Sequence, residues 1–143
     1  MRPIQATKKV LLVPPQLKDN GVPSGLTYVD TAGWEHVEFE FVIGTTDIAT
    51  TAAPKITECE TAGGSYTDVT GAALADAISA TEDDSIFLIA VDLTKAHMRY
   101  MKPSITAGDG TAGTNLCVIA TLSRPIDAPR TAAQRGLAEW IKA

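Results

Sequence analysis

Between Trp34 and Ile43 the chain alternates with a period of two. Val37, Phe39, Phe41 and Ile43 fall on one side, and His36, Glu38 and Glu40 on the other. Successive side chains point to opposite faces only in a β-strand, so this segment is a strand with one buried face and one wet face. One strand cannot satisfy its own backbone, so the segment demands a sheet and something apolar to cover the sheet.

The rest of the chain supplies the other strands. Lys8–Val13, Leu26–Val29, Lys55–Glu60, Tyr66–Val69, Ser85–Val91, His97–Ile105 and Asn115–Ser123 are short, strand-like runs. Turn chemistry punctuates them: Pro14-Pro15, Asp19-Asn20-Gly21, Gly44-Thr45-Thr46-Asp47, Gly63-Gly64 and Arg124-Pro125. Ser85–Val91 is continuously apolar and short, which is the pattern of a central strand covered on both faces. In the last strand Leu116, Val118, Ala120 and Leu122 share one face. Ala72–Ala80 reads as a helical turn or as a loop lying on the sheets. Thr131–Lys142 is the one good helix candidate, with Leu137, Trp140 and Ile141 as its apolar stripe and Thr131 as its N-cap.

Eight short strands bounded by turns point to an all-β fold, an eight-stranded β-sandwich or barrel. An eight-stranded jelly roll with a short C-terminal helix is the expected architecture. A length of 143 residues with 45% apolar side chains suits one core. The expected organisation is a single β-sandwich domain over residues 1–143, with an N-terminal arm at 1–7 and the helix at 131–142.

Charge and motifs narrow the function. The net charge is −5 and the basic residues are scattered, whereas phosphate contacts need clustered Lys and Arg. Nucleic acid is therefore not an expected partner. Lys8-Lys9 precede an apolar run that stops at Pro14, shorter than the roughly 7–15 residues of a secretory core. No apolar run approaches the ~20 residues of a membrane helix. Synthesis and retention in the cytoplasm, or export as part of a larger particle, is the expectation. Cys59 and Cys117 are far apart and are expected to be buried free thiols.

Gly108–Gly113 matches the GxGxxG spelling of a dinucleotide loop. The segment after it reads as a strand, and no acidic residue follows at the ~20-residue spacing of the ribose contact, so a strand-to-strand loop is the better reading. His36, Glu38 and Glu40, with His97 from another strand, are residue types that hold divalent metals. A wet strand face accounts for them without a metal. Neither His36 nor His97 has a recognisable nucleophile beside it, and there is no GxSxG elbow. Glu82-Asp83-Asp84 lacks the spaced oxygens and turn glycine of a calcium loop, and reads as a solvated turn. No catalytic, cofactor or metal site is expected, and the chain is not expected to be an enzyme.

Lys55–Glu60 followed by Gly63–Val69, then Val91-Asp92-Leu93, Arg99–Pro103, a Gly/Thr loop and Leu116–Leu122 ending in Ser123-Arg124-Pro125, resembles the jelly-roll decoration, or cement, proteins of tailed phages. The likeness is one of style and order over roughly residues 34–125. It implies a structural virion protein, a homo-oligomeric habit (dimer or trimer), the major capsid protein as partner and the capsid exterior as location. No catalytic residue carries over. The expected contact elements are the arm with Arg2 and the C-terminal stripe of Leu137, Trp140 and Ile141. Other small virion proteins, of the tail tube or the head-joining region, are close confusions. A carbohydrate- or small-ligand-binding β-sandwich is the reading from another class, and it would need an exposed groove lined by Trp34, Tyr28 or Tyr100.

Overall fold

The computed structural model describes residues 6–46, 50–108, 110, 112–126, 132–139 and 141. Within them run ten strands: β1 (Thr7–Lys18), β2 (Asn20–Gly21), β3 (Val29–Asp30), β4 (Trp34–Thr46), β5 (Lys55–Cys59), β6 (Thr67–Ala73), β7 (Ser85–Asp92), β8 (Tyr100–Ser104), β9 (Ala107–Gly108) and β10 (Thr114–Pro125). Seven of the eight strands read from the sequence are present over most of their length; of Leu26–Val29 only Val29 is strand, where the two-residue β3 begins. The additional pair, β2 and β9, has two residues in each strand.

Two four-stranded sheets form, in the orders β1-β10-β4-β7 and β3-β8-β5-β6, with β2-β9 as a small third ladder. One rule generates most of this. Each strand pairs antiparallel with the strand equally far from the other end: β1 with β10, β2 with β9, β3 with β8, β4 with β7, β5 with β6. The chain is thus one long hairpin, rolled so that its successive pairs alternate between two facing sheets. Two further ladders, β10 with β4 and β5 with β8, close the roll. This is the jelly-roll arrangement. The β2-β9 ladder carries the hairpin across the first corner. There Gly108 has φ +73°, and a Cβ on it would stand 1.8 Å from the Asp19 carbonyl oxygen, so the close approach requires glycine.

The core lies between the sheets. Val37, Phe39 and Phe41 of β4, Val118, Ala120 and Leu122 of β10, and Ile56 and Met101 of the second sheet are fully buried. The alternation of β4 and β10 therefore falls as the sequence predicts. Trp34 is partly buried against this core. Ala72–Ala80 is the end of β6 followed by a loop, not a helical turn. Ile78 plugs that loop into the core, and its N–H donates to Thr50 Oγ1 at 2.9 Å.

Several expectations are corrected. Gly44-Thr45-Thr46 and Arg124-Pro125 do not stop their strands: with ladder partners across β4 and β10, these run on to Thr46 and Pro125. Pro14-Pro15 does not end the first strand. β1 is an edge strand and its register shifts between Val13 and Gln16, so the prolines sit where no ladder bond needs their missing N–H. Ser85–Val91 is not a central strand: β7 is the outermost strand of its sheet, and Ile86 and Leu88 are 68% and 49% exposed. The C-terminal helix reduces to one 3-10 turn at Ala133–Arg135, ended by Gly136 in the left-handed region. A Cβ on Gly136 would stand 1.7 Å from the Lys9 carbonyl oxygen, so the turn closes against the backbone of β1. That backbone contact replaces the apolar helical face that the spacing predicts. The proposed N-cap, Thr131, lies outside the described residues.

Candidate partner-binding surfaces

The outer face of the second sheet gathers all three tyrosines of the chain. Tyr100 opens β8, Tyr28 precedes β3 and Tyr66 precedes β6. The β5–β8 register sets Cys59 opposite Tyr100 and Thr57 opposite Lys102 on this face, because Ile56 and Met101 alternate inward. Tyr28 and Tyr100 meet edge to face, with ring centroids 5.3 Å apart. Arg99 lies over the Tyr100 ring at 5.1 Å and Lys102 over the Tyr66 ring at 4.1 Å. These are cation–π distances. Burial, with Cys59, Tyr28 and Tyr100 nearby, holds the Tyr66 phenol above its ordinary range. Its hydroxyl donates to the Ala62 carbonyl at 3.0 Å.

Arg99 is fixed from its other side by Asp30. Asp30 also accepts from the Ala32 N–H at 3.0 Å, which shapes the turn after β3. The arginine fork holds the Asp30 carboxyl below its ordinary range, and Asp30 in turn raises Arg99. Beside Tyr66 and Lys102 runs a shallow groove of about 370 Å³, lined also by Val22, Leu26 and Thr57. Tyrosine and arginine on a rigid face, with an apolar groove alongside, is the composition of protein-contact surfaces.

The outer face of the first sheet differs. Leu11 of β1, Ile119 of β10, Val42 of β4, and Ile86 and Leu88 of β7 form an apolar area with Glu40 among them. Lys9 and Glu38 border it, and Lys9 Nζ donates to Thr121 Oγ1 at 2.9 Å. Cys117 lies on this face. Burial, and then the charge of Glu40, push its thiol up. Both cysteines are free and stand on opposite sheets.

The residues singled out in the sequence scatter over this frame. His36, Glu38 and Glu40 share the outer face of β4, with His36 Nε2 3.3 Å from Glu38 Oε1. His97 does not join them: its Nδ1 lies 3.1 Å from Glu58 Oε2, and that same oxygen accepts from the Met98 N–H at 3.0 Å. Among the described residues, no group of three or more His, Cys, Asp or Glu is placed to hold a metal ion. Gly108 belongs to β9 and Asp109 and Thr111 lie outside the described residues, while the segment after the glycines is strand β10, as read from the sequence. Glu82 accepts from the Ser79 N–H at 2.6 Å, closing the turn before β7. Of the expected contact residues, Leu137 is half-buried and Ile141 is 79% exposed. Arg2 and Trp140 lie outside the described residues.

The tyrosine cluster is what sequence reasoning missed as a unit. Tyr28 and Tyr100 carried separate signals of residue type, and only the roll of the hairpin brings them to Tyr66. No helix among the described residues is long and apolar enough to cross a membrane. No protein-family model matches the chain, and no curated protein or solved structure gives a match.

Proposed function

We propose that this chain is a structural virion protein that binds the outside of a tailed-phage capsid and stabilises the shell by bridging major capsid protein subunits. The observation that carries a binding role is the tyrosine face with Arg99 and Lys102 packed on its rings. Aromatic side chains already held by cations lose little conformational entropy on contact, which favours a protein surface as partner. A second outward area, on the opposite sheet, gives the module two sides with which to bridge. Repeated by symmetry, modest contacts of this kind add up to firm attachment. The capsid as the specific partner comes from the resemblance over residues 34–125.

Light scattering after size exclusion, on the protein alone and mixed with emptied capsids, tests this reading. Co-elution at a fixed ratio is expected. Tyr66→Ala and Tyr100→Ala lower occupancy on the order of tenfold or more. A protein that stays free of every capsid tried sinks the reading.

A glycan-binding module is the second reading, because Tyr28 is 39% exposed beside Asp30 and Arg99, a set of groups that sugars use. Against it, the cations cover the Tyr66 and Tyr100 rings that a sugar would stack on. In a glycan screen, saturable binding lost in Tyr28→Ala, together with no capsid binding, would select this second reading.

A further inference from the structure

The four outer edges of the two sheets are not alike. β1 is broken by two register shifts and covered by the turn at Gly136. β3 has two residues, and β6 carries a register shift and Gly71 at φ +78°. These are the devices that keep an edge from pairing with another chain. β7 has none of them. It runs eight residues in unbroken register with β4 and contains neither lysine nor proline. Its sequence is that of a strand covered on both faces and flanked on both sides, yet it stands at the rim.

Its backbone is open on the outer side. Leu93 N–H donates to the Glu35 carbonyl at 2.9 Å, in line with the β4–β7 register. Antiparallel alternation from that pair turns the N–H and C=O of Phe87, Ile89 and Val91 toward β4. The same groups of Ile86, Leu88 and Ala90 then face away from it. Among the described residues these three make no backbone hydrogen bond outside the ladder.

We propose that β7 pairs antiparallel with β7 of a second copy, about a two-fold axis normal to the sheet, joining the two four-stranded sheets into one. A second copy fits because the segment is self-complementary in charge. Centred on Ile89, the pairing sets Leu88 opposite Ala90, Val91 opposite Phe87 and Asp92 opposite Ile86 of the other copy. The acidic run Glu82–Asp84 of each copy then comes beside the turn holding Thr94 and Lys95 of the other. Centred one residue earlier, it would set Asp84 against Asp92, which like charges disfavour. The contact is isologous and closes at two copies. The exposed Leu88 side chains of the two copies become diagonal neighbours on one outer face. The pairing does not depend on what the tyrosine face binds.

The test uses the full chain without capsids. Light scattering at about 100 µM is expected to give twice the 15.0 kDa chain mass. The double variant Leu88→Lys/Ala90→Lys sets lysines opposite each other across the axis and is expected at the single-chain mass. Its circular dichroism should match the parent, since both side chains point outward. Lys95→Glu weakens dimerisation about threefold, and added salt narrows that difference. In the parent, hydrogen exchange at Ile86, Leu88 and Ala90 is expected to be slow, and in the double variant fast. A parent chain that is monomeric overturns the proposal. So does a dimer that survives the double lysine variant, or one whose Leu88 and Ala90 amides exchange as fast as exposed loops. A failure here leaves the capsid test standing, and a failure of the capsid test leaves this one.

Discussion

Asp30 receives the Arg99 guanidinium on both oxygens, Nε to Oδ1 at 2.9 Å and Nη2 to Oδ2 at 2.8 Å. The pair ties β3 to the start of β8, and Thr31 reinforces the tie by donating its hydroxyl to the Arg99 carbonyl at 2.7 Å. A two-residue strand has few ladder bonds of its own, so β3 depends on these side-chain contacts. They also hold Arg99 over Tyr100, which makes the ion pair part of the tyrosine face.

The first prediction follows from the direction of the Asp30 shift. Its folded pKa is depressed, so its contribution to stability is present above the unfolded carboxylate value and is lost as pH falls through the folded value. Asp30→Asn is therefore expected to lower Tm at neutral pH, and the loss is expected to shrink as pH falls through the depressed folded value. Both side chains are partly exposed, so solvent screening keeps the effect small. An equal loss at neutral and at low pH would show that the pair acts through shape and not charge.

Phe39 is fully buried at the centre of β4, with Ala120 and Ile89 as its cross-strand neighbours. Phe39→Ala leaves a cavity that two rigid sheets cannot close. It should cost about 3–5 kcal/mol in denaturant unfolding. A loss under about 1 kcal/mol would mean that the sheets collapse onto the gap.

Gly108 and Gly71 both have positive φ, but only Gly108 lies against backbone; nothing stands within 4 Å of a Cβ at Gly71. Gly71→Ala is expected to cost about 1 kcal/mol, from conformation alone. Gly108→Ala must in addition displace the Asp19 carbonyl and break the β2–β9 corner, so it costs more. Paired unfolding curves check the ranking, and equal costs would remove the close approach from the account.

Cys117 is half-buried on the outer face, whereas Cys59 is buried beneath the Gly64 turn, where a Cβ on Gly64 would stand 2.5 Å from its sulfur. A thiol reagent should modify Cys117 first, and Cys59 only on unfolding. Because burial and Glu40 raise the Cys117 pKa, its reaction is slow near neutral pH and quickens as pH rises past the ordinary thiol range of about 8.5. Glu40→Gln removes a negative charge and speeds it at fixed pH. Absorbance of the released chromophore, with mass spectrometry of the product, reads both rates.

What the sequence determined by itself was the face each side chain takes. Alternation follows from backbone geometry within a few residues, so Phe39, Phe41, Val118 and Leu122 were legible as core, and His36, Glu38 and Glu40 as surface. The turn residues marked some strand ends, such as Gly63-Gly64 between β5 and β6, but not others: Pro14-Pro15 lie within β1, Gly44-Thr45-Thr46 within β4 and Arg124-Pro125 within β10, because whether a strand runs on depends on whether a ladder partner is there. Only the tertiary structure decided the neighbours. Strand order depends on pairs separated by most of the chain, such as β1 with β10, and no local pattern encodes which edge meets which. That is why the apolar run of β7 reads as a central strand and stands at a rim, and why Tyr28, Tyr66 and Tyr100 meet without any spacing that announces it. The C-terminal stripe of Leu137 and Ile141 has helical spacing, but the chain just before it is held by a backbone contact between Gly136 and Lys9. A tertiary contact of that kind overrides a weak local preference.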